Sequence, residues 1–245
     1  MTEKNNTRVR MLDILRGIAV IGMVLHHALV SYEIIFGKSI DLLYSEAFRI
    51  VQLLFVAVFL IVSGICTNYS RSVLKRGLTV FAAALVVSLA TCVVLPAVGF
   101  DGLNIYFGIL HMFGLSMILY AFLRKYFEKV NPVVGAVFSA VLFIAYYIFY
   151  RTEPTSSSYL LMIFGVLPEN IGSYGDYYPL FPFFFLFITG TYIGKYVKNG
   201  AFPKWFYTSG CMPLEICGRY SLWIYILHQP VIFGLMYIIA SVMSA

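Results

Sequence analysis

Two adjacent histidines, His26 and His27, stand inside an apolar run that begins on charge: RVRMLDILRGIAVIGMVLHHALVS, residues 8–31. A neutral imidazole, with an ordinary pKa of about 6.5, can take a proton from a hydroxyl or amine, or carry a transferred group on nitrogen. If the run is helical, each residue turns by about 100°. Arg16 and His27 then point within about 20° of each other, and Asp13 lies about 60° from Arg16 on the same side. His27 is about 16 Å further along the axis than Arg16, and His26 sits about 100° round from His27. Ionisable groups within a membrane span are costly and face a bundle interior or a wet cavity. His27, His26, Asp13 and Arg16 are therefore the candidate catalytic set, on one wall of a reaction site. The plainer alternative for Arg16 and Asp13 is a positive-inside anchor and its partner.

Three further stretches carry polar groups. In the stretch from Arg49 that ends in FLIVSGICTNYSRS, Gln52, Ser63 and Thr67 share a helical stripe that leads to Asn68 and a basic cluster of Arg71, Lys75 and Arg76. That cluster is either a topology signal or, with Arg16, Ser63 and Asn68, a phosphate-binding rim for an anionic cofactor. In NIYFGILHMFGLS, Asn104, Gly108 and His111 share a face. His111 is either a satisfied core histidine or a lining residue of the same cavity as His27. In GRYSLWIYILHQP, Ser221, Tyr225 and His228 fall within about 60° of one another, and Pro230 frees a backbone carbonyl one turn before it. Tyr225 and His228 are candidate cavity residues with Asn104 and His111.

The elements that must position these groups are membrane spans. The chain has 245 residues, 61% hydrophobic and only 11% charged, whereas soluble domains run near 45–50% apolar and about 25% charged. The spacing predicts an all-α polytopic transmembrane helix bundle of about seven spans, near residues 11–31, 47–68, 76–97, 105–124, 132–150, 179–197 and 219–242. It is read as a single domain, 1–245. The basic residues decide its orientation. Lys4, Arg8, Arg10 and Arg16, then Arg71, Lys75 and Arg76, then Arg124, Lys125 and Lys129, then Lys195, Lys198, Lys204 and Arg219 all fall on one side. The positive-inside rule places that side, and the N-terminus, in the cytoplasm. The net charge of +6 follows from this bias and implies no nucleic-acid partner. The other side carries Glu33, Asp41, Glu46, Asp101, Glu153, Glu169 and Asp176. It also carries the long connection 151–177, whose apolar piece YLLMIFGVLP is too short to cross and reads as interfacial or re-entrant. The tyrosines after it, Tyr174, Tyr177 and Tyr178, form either an aromatic belt or a lid over an external acceptor. Cys66, Cys92, Cys211 and Cys217 make no disulfide framework, and no Cys/His spacing suggests a metal site. The first apolar run lacks a cleavage site and is read as a retained span.

The pieces RMLDILRGIAVIGMVLHH, FLIVSGICTNYSRS, GILHMFGLS and GRYSLWIYILHQP resemble, in that order, the bacterial heparan-α-glucosaminide N-acetyltransferase-like membrane proteins. Those belong to a wider group that includes the acyltransferase-3 family, whose first span has a basic residue followed, eleven positions on, by a functional histidine; Arg16 and His27 fit that spacing. The resemblance implies transfer of an acyl group, acetyl in the first instance, from cytosolic acyl-CoA to an extracytoplasmic acceptor such as a sugar hydroxyl or amine of a glycan, without a metal. On that reading acetyl-CoA is the donor, with its phosphates near Arg16, Arg71, Lys75 and Arg76 and its thioester threaded inward to His27. Asp13 holds Arg16. The bacterial plasma membrane is the expected location, and a homodimer is compatible with the sequence. The competing class is a transporter or flippase, since intramembrane His, Arg and Asp also mark solute and proton routes.

Overall fold

The computed structural model describes residues 8–97, 99, 104–169 and 176–243. The expectations placed on Lys4, Asp101 and Tyr174 lie outside these residues.

The chain is all-α. In order it forms α1 (Arg10–Phe36), α2 (Asp41–Tyr44), α3 (Glu46–Thr67), α4 (Val73–Leu89), α5 (Leu95–Ala97), α6 (Ile109–Phe127), α7 (Pro132–Tyr150), α8 (Leu180–Lys198), α9 (Lys204–Thr208), α10 (Met212–Arg219) and α11 (Ser221–Met243). A π-helical stretch, Ala90–Val94, joins α4 to α5. Between α7 and α8, β1 (Thr155–Ser156) pairs in parallel with β2 (Leu167–Pro168). The apolar piece expected not to cross forms only a six-residue 3-10 helix there, Tyr159–Phe164.

Six helical segments among the described residues are long and apolar enough to cross a membrane: Arg10–Phe36, Glu46–Thr67, Val73–Ala97, Pro132–Tyr150, Leu180–Lys198 and Ser221–Met243. The remaining expected span, near 105–124, is the 19-residue helix α6. It falls outside that set because it starts four residues later and its last turn carries Arg124 and Lys125, which dilute its apolar character.

The chain divides into two compact units, one running to Val62 and resuming at Gly200, the other Ser63–Asn199. In the first, α1 packs against α9, α10 and α11. Its buried side holds Leu12, Asp13, Ile14, Ala19 and Val20, while Ile18, Ile21 and Leu25 are exposed. On α11 the exposed residues Trp223, Leu227, Val231 and Leu235 recur every fourth position, leaving His228 on the covered side. Such stripes suit contact with lipid on one face and with a neighbouring helix on the other. Gly37 ends α1 in the left-handed conformation, φ 63°, its N–H bonded to the Glu33 carbonyl.

In the second unit α4 packs on α6, α7 on α8, and α6 on α8. The last of these, α8, is covered nearly all round, with Phe183 and Phe187 fully buried, as a helix apolar on every side should be. Asn131 caps α7 through Val133 N–H at 2.9 Å, with Pro132 at the first helical position. The Ser139 and Thr189 hydroxyls meet across α7 and α8 at 2.8 Å. The Ser63-Gly64 pair, expected to permit close packing, does so: a β-carbon on Gly64 would strike the Phe187 carbonyl.

Candidate functional site

The first unit brings together most of the residues expected to do chemistry. On α1 the His26 and His27 rings are 5.2 Å apart, and the His27 ring lies 5.0 Å from that of His228 on α11. Tyr225 flanks His228 with its ring at 5.5 Å and accepts a 2.7 Å hydrogen bond from the histidine's Nδ1 at its main-chain carbonyl. Gln52 of α3 approaches His26 Nε2 with its side-chain nitrogen at 3.5 Å, and Phe48 lies against the same ring at 5.5 Å. The helical spacing of α1 and the four-residue repeat of α11 thus put three imidazoles side by side, on the covered faces of two apolar helices.

Hydrogen bonding fixes which nitrogens carry protons. A carbonyl only accepts, so His228 Nδ1 holds the hydrogen and, in the neutral ring, Nε2 is a bare lone pair. Gln52 donating to His26 Nε2 leaves the hydrogen of His26 on Nδ1. Among the described residues, five buried side-chain nitrogen or oxygen atoms have no hydrogen-bond partner, and four of them are on α1 and α11: His26 Nδ1, Ser31 Oγ, His228 Nε2 and Gln229 Oε1. The fifth is Asn104 Oδ1. Leaving a buried polar group unpaired costs about 1–3 kcal/mol, so each of these atoms is open to a water molecule or to a polar ligand.

About 16 Å along α1 from His27 lies a charged foot. Asp13, 3% exposed, accepts from Arg8 at 3.0 Å through Nη2 and lies 3.8 Å from Arg16. Asp13 was expected to hold Arg16, and the structure adds Arg8 as its nearer partner. A second clasp joins α1 to α10: Glu215, 4% exposed, is 2.7 Å from Arg10 and 3.8 Å from Arg219, and accepts from the Cys211 N–H at 3.1 Å. The hydrogen bond from Arg10 holds the Glu215 carboxyl below its ordinary range, against the opposing effect of burial. Four guanidiniums thus surround two carboxylates, a surplus of positive charge on a rigid frame. The sequence reading did not single out Glu215. The signal was present: it is the one acidic residue in the basic connection 195–219, where a carboxylate implies a specific partner.

The other expected residues belong to the second unit. Ser63 is buried, and Asn68 bridges helices, donating to the Thr191 carbonyl at 2.9 Å while its own carbonyl accepts from Lys198 at 3.0 Å. Arg71, Lys75 and Arg76 are exposed at the start of α4, which Ser72 caps through the Lys75 N–H. Asn104 donates to the Tyr106 hydroxyl at 3.2 Å. His111 accepts from the Gly108 N–H at 3.2 Å on Nδ1, and its Nε2 lies 3.2 Å from the Ser88 hydroxyl, which donates in turn to the Ile105 carbonyl at 2.6 Å. Both of its nitrogens are therefore engaged. Among the described residues no group of three or more His, Cys, Asp or Glu side chains is placed to hold a metal ion.

Six membrane-length apolar helices, with imidazoles on the first and last of them and guanidiniums at the foot of the first, define a multi-pass membrane protein with ionisable groups within its spans. Residues 8–230 match the family described as heparan-alpha-glucosaminide N-acetyltransferase, catalytic, and the chain belongs to that family. It is thereby a membrane protein of the acetyltransferase type. No curated protein matches the chain, and no solved structure does.

Proposed function

We propose that this protein moves an acetyl group from cytosolic acetyl-CoA to an extracytoplasmic acceptor, a sugar hydroxyl or amine of a cell-envelope glycan, in a bacterial plasma membrane with its N-terminus in the cytoplasm. The chain 1–245 is one functional domain on this reading. The observation that carries it is the His26–His27–His228 cluster, with unpaired nitrogens on two of its rings, on a helix whose other end is a positively charged clasp. A thioester donor with a phosphorylated tail needs both: guanidiniums for the phosphates, and a buried imidazole where the acyl group changes hands.

Arg16, with Arg8 and Arg10 beside it, would hold donor phosphates, and Asp13 would keep Arg16 in place. His27, with His26 adjoining it, would meet the thioester carbonyl. Tyr225 and His228 would lie on the acceptor side. Arg71, Lys75 and Arg76, exposed on their own unit, are proposed as a further phosphate-binding rim beside Ser63 and Asn68. For His111 the engaged ring favours holding the entry into α6; Asn104, which keeps an unpaired buried oxygen, remains a proposed polar contact for the acceptor. The test is transfer of labelled acetyl from acetyl-CoA by the detergent-purified protein, with His27→Ala alongside. Release of CoA thiol by the wild type and its loss in the variant support the reading; a wild type that neither binds nor turns over acetyl-CoA removes it.

A further inference from the structure

The short helix α10 has two distinct faces. Leu214, Glu215 and Gly218 turn to α1, where Gly218 meets the Asp13 carbonyl and the Leu214 carbonyl meets Gly17. Met212, Ile216, Arg219 and Tyr220 fall within about 100° of one another on the other side. All four are exposed, Met212 at 72% and Ile216 at 46%. The level at which α10 lies follows from its contacts. Asp13 and Gly17 stand between the guanidiniums at the start of α1 and Ile18, where the exposed apolar side of that helix begins. The outward face of α10 therefore sits where charge gives way to hydrocarbon. The chain has two tryptophans, Trp205 in α9 and Trp223 in the first turn of α11, and both are exposed on either side of α10 in sequence. Tryptophan favours this same level of a bilayer. An amphipathic helix at such a depth sets its apolar side against the upper acyl chains and its charges among the headgroups.

The charge on this face is loosely held. Glu215 is engaged by Arg10 at 2.7 Å and by the Cys211 N–H at 3.1 Å. Arg219 stands 3.8 Å from it, too far for a hydrogen bond, and its side chain is 47% exposed. No other described residue pairs with the Arg219 guanidinium. One covered carboxylate thus faces two half-exposed guanidiniums, and the outward field is positive. A planar fork of N–H donors suits the oxygens of a phosphate. A choline headgroup would bring its own cation against that field, whereas an anionic headgroup would not.

We propose that the outward face of α10 binds an anionic phospholipid of the leaflet at the foot of α1, its phosphate on Arg219 and an acyl chain along Ile216 and Met212. The phosphate supplies the acceptor that Arg219 lacks. The chain covers the apolar residues one and two turns before it on the same face. This site stands whether or not the protein transfers acetyl groups.

The test follows the fluorescence of the two tryptophans in the full-length protein, held in maltoside micelles. It is titrated with phosphatidylglycerol carrying brominated acyl chains, or with the matching phosphatidylcholine. Bromine quenches indole on contact, and the chain has no tryptophan elsewhere. Wild type is expected to reach half-quenching at about 5-fold less phosphatidylglycerol than phosphatidylcholine, the factor that one basic residue gains at an anionic surface. Arg219→Gln leaves the contacts with α1 in place and should bring the two curves together, while Arg219→Lys should keep most of the gap. Ile216→Ser should weaken quenching by both lipids alike. Inorganic phosphate and acetyl-CoA should displace neither lipid. Coincident curves in the wild type, or a gap that Arg219→Gln leaves intact, overturn the site. Displacement by inorganic phosphate or acetyl-CoA overturns the lipid as its occupant and assigns Arg219 to a soluble phosphate. Tryptophans that neither lipid quenches overturn it as well, and a doubled mass by light scattering then gives the face to a second copy of the chain.

Discussion

The α-carbon of Gly218 lies so close to the main-chain carbonyl of Asp13 that a β-carbon there would overlap it. Gly17, one turn further along α1, stands in the same relation to the Leu214 carbonyl. The two glycines let α10 lie backbone to backbone across the foot of α1, which is what brings Glu215 within reach of Arg10. In a membrane protein such close crossings supply much of the helix–helix attraction, since lipid is as apolar as the side chains.

Gly218→Ala is therefore expected to destabilise, although alanine is the better helix former by up to about 1 kcal/mol. The obstacle is a backbone carbonyl, which no rotamer change can move aside, and overpacking of this kind costs about 1–3 kcal/mol. A lower thermal midpoint in detergent than wild type checks this, with Gly17→Ala behaving alike. Gly234, whose added β-carbon would meet nothing within 4 Å, is the control: Gly234→Ala should leave the midpoint unchanged or raise it.

The Glu215 clasp has a pH signature. Its carboxyl is held below the ordinary value of 4.5, chiefly by the hydrogen bond from Arg10, so the folded state gives up that proton more readily than the unfolded one. The stabilisation is fully present above the ordinary value and is lost as pH falls through the folded one. Wild type should lose thermal stability as the pH falls below the ordinary carboxyl value of 4.5, and Glu215→Gln should lose less over the same range while starting lower at neutral pH. Comparing the two cancels the contribution of every other carboxylate. Parallel pH curves would show that the clasp contributes nothing.

What the sequence made legible follows the physics of each element. Spans of about 20 apolar residues were readable because the bilayer sets their length, and α1, α3, α7 and α11 lie within a few residues of their expected bounds. Period 3.6 placed His27 and Arg16 on one side of α1 and grouped Tyr225 with His228 on α11, whose rings lie 5.5 Å apart. The meeting of His27 with His228 was not readable, because it depends on which helices are neighbours, and nothing in the local pattern of α11 names α1. The close crossing at Gly17 and Gly218 was hidden for the same reason. Glycine in an apolar run is equally compatible with lipid contact, as Gly234 shows. Orphaned atoms such as Ser31 Oγ can be seen only once every potential partner has a position.

The Ser139–Thr189 pair offers a measure of polar contacts between α7 and α8. Their hydroxyls meet at 2.8 Å, but each also donates or can donate within its own helix, Ser139 to the Gly135 carbonyl at 2.8 Å and Thr189 to the Phe185 carbonyl at 2.9 Å. Removing one partner therefore leaves the other satisfied. A double-mutant cycle with Ser139→Ala and Thr189→Val is expected to give a coupling of about 0.6 kcal/mol, read from unfolding in mixed micelles. A coupling above about 2 kcal/mol would mean the interhelical bond dominates and the local carbonyls count for little.

His111 separates holding from chemistry. Its Nδ1 receives the Gly108 N–H, and its Nε2–H is directed at Ser88, whose hydroxyl passes the chain on to the Ile105 carbonyl. This relay ties the residues leading into α6 to α4, and Phe107 and Phe81 enclose the ring at 5.6 and 5.9 Å. His111→Ala leaves the buried Gly108 N–H without its partner and opens a void between two aromatic rings, while Ser88 keeps its bond to the Ile105 carbonyl, so a loss of about 2–4 kcal/mol is expected. His111→Gln, which can reach one of the two partners, should recover part of it. Acetyl transfer per folded molecule should be nearly unchanged in His111→Gln, measured at a temperature well below its midpoint. A kcat that collapses while the fold and acetyl-CoA binding persist would move His111 from the frame of α6 into the transfer step.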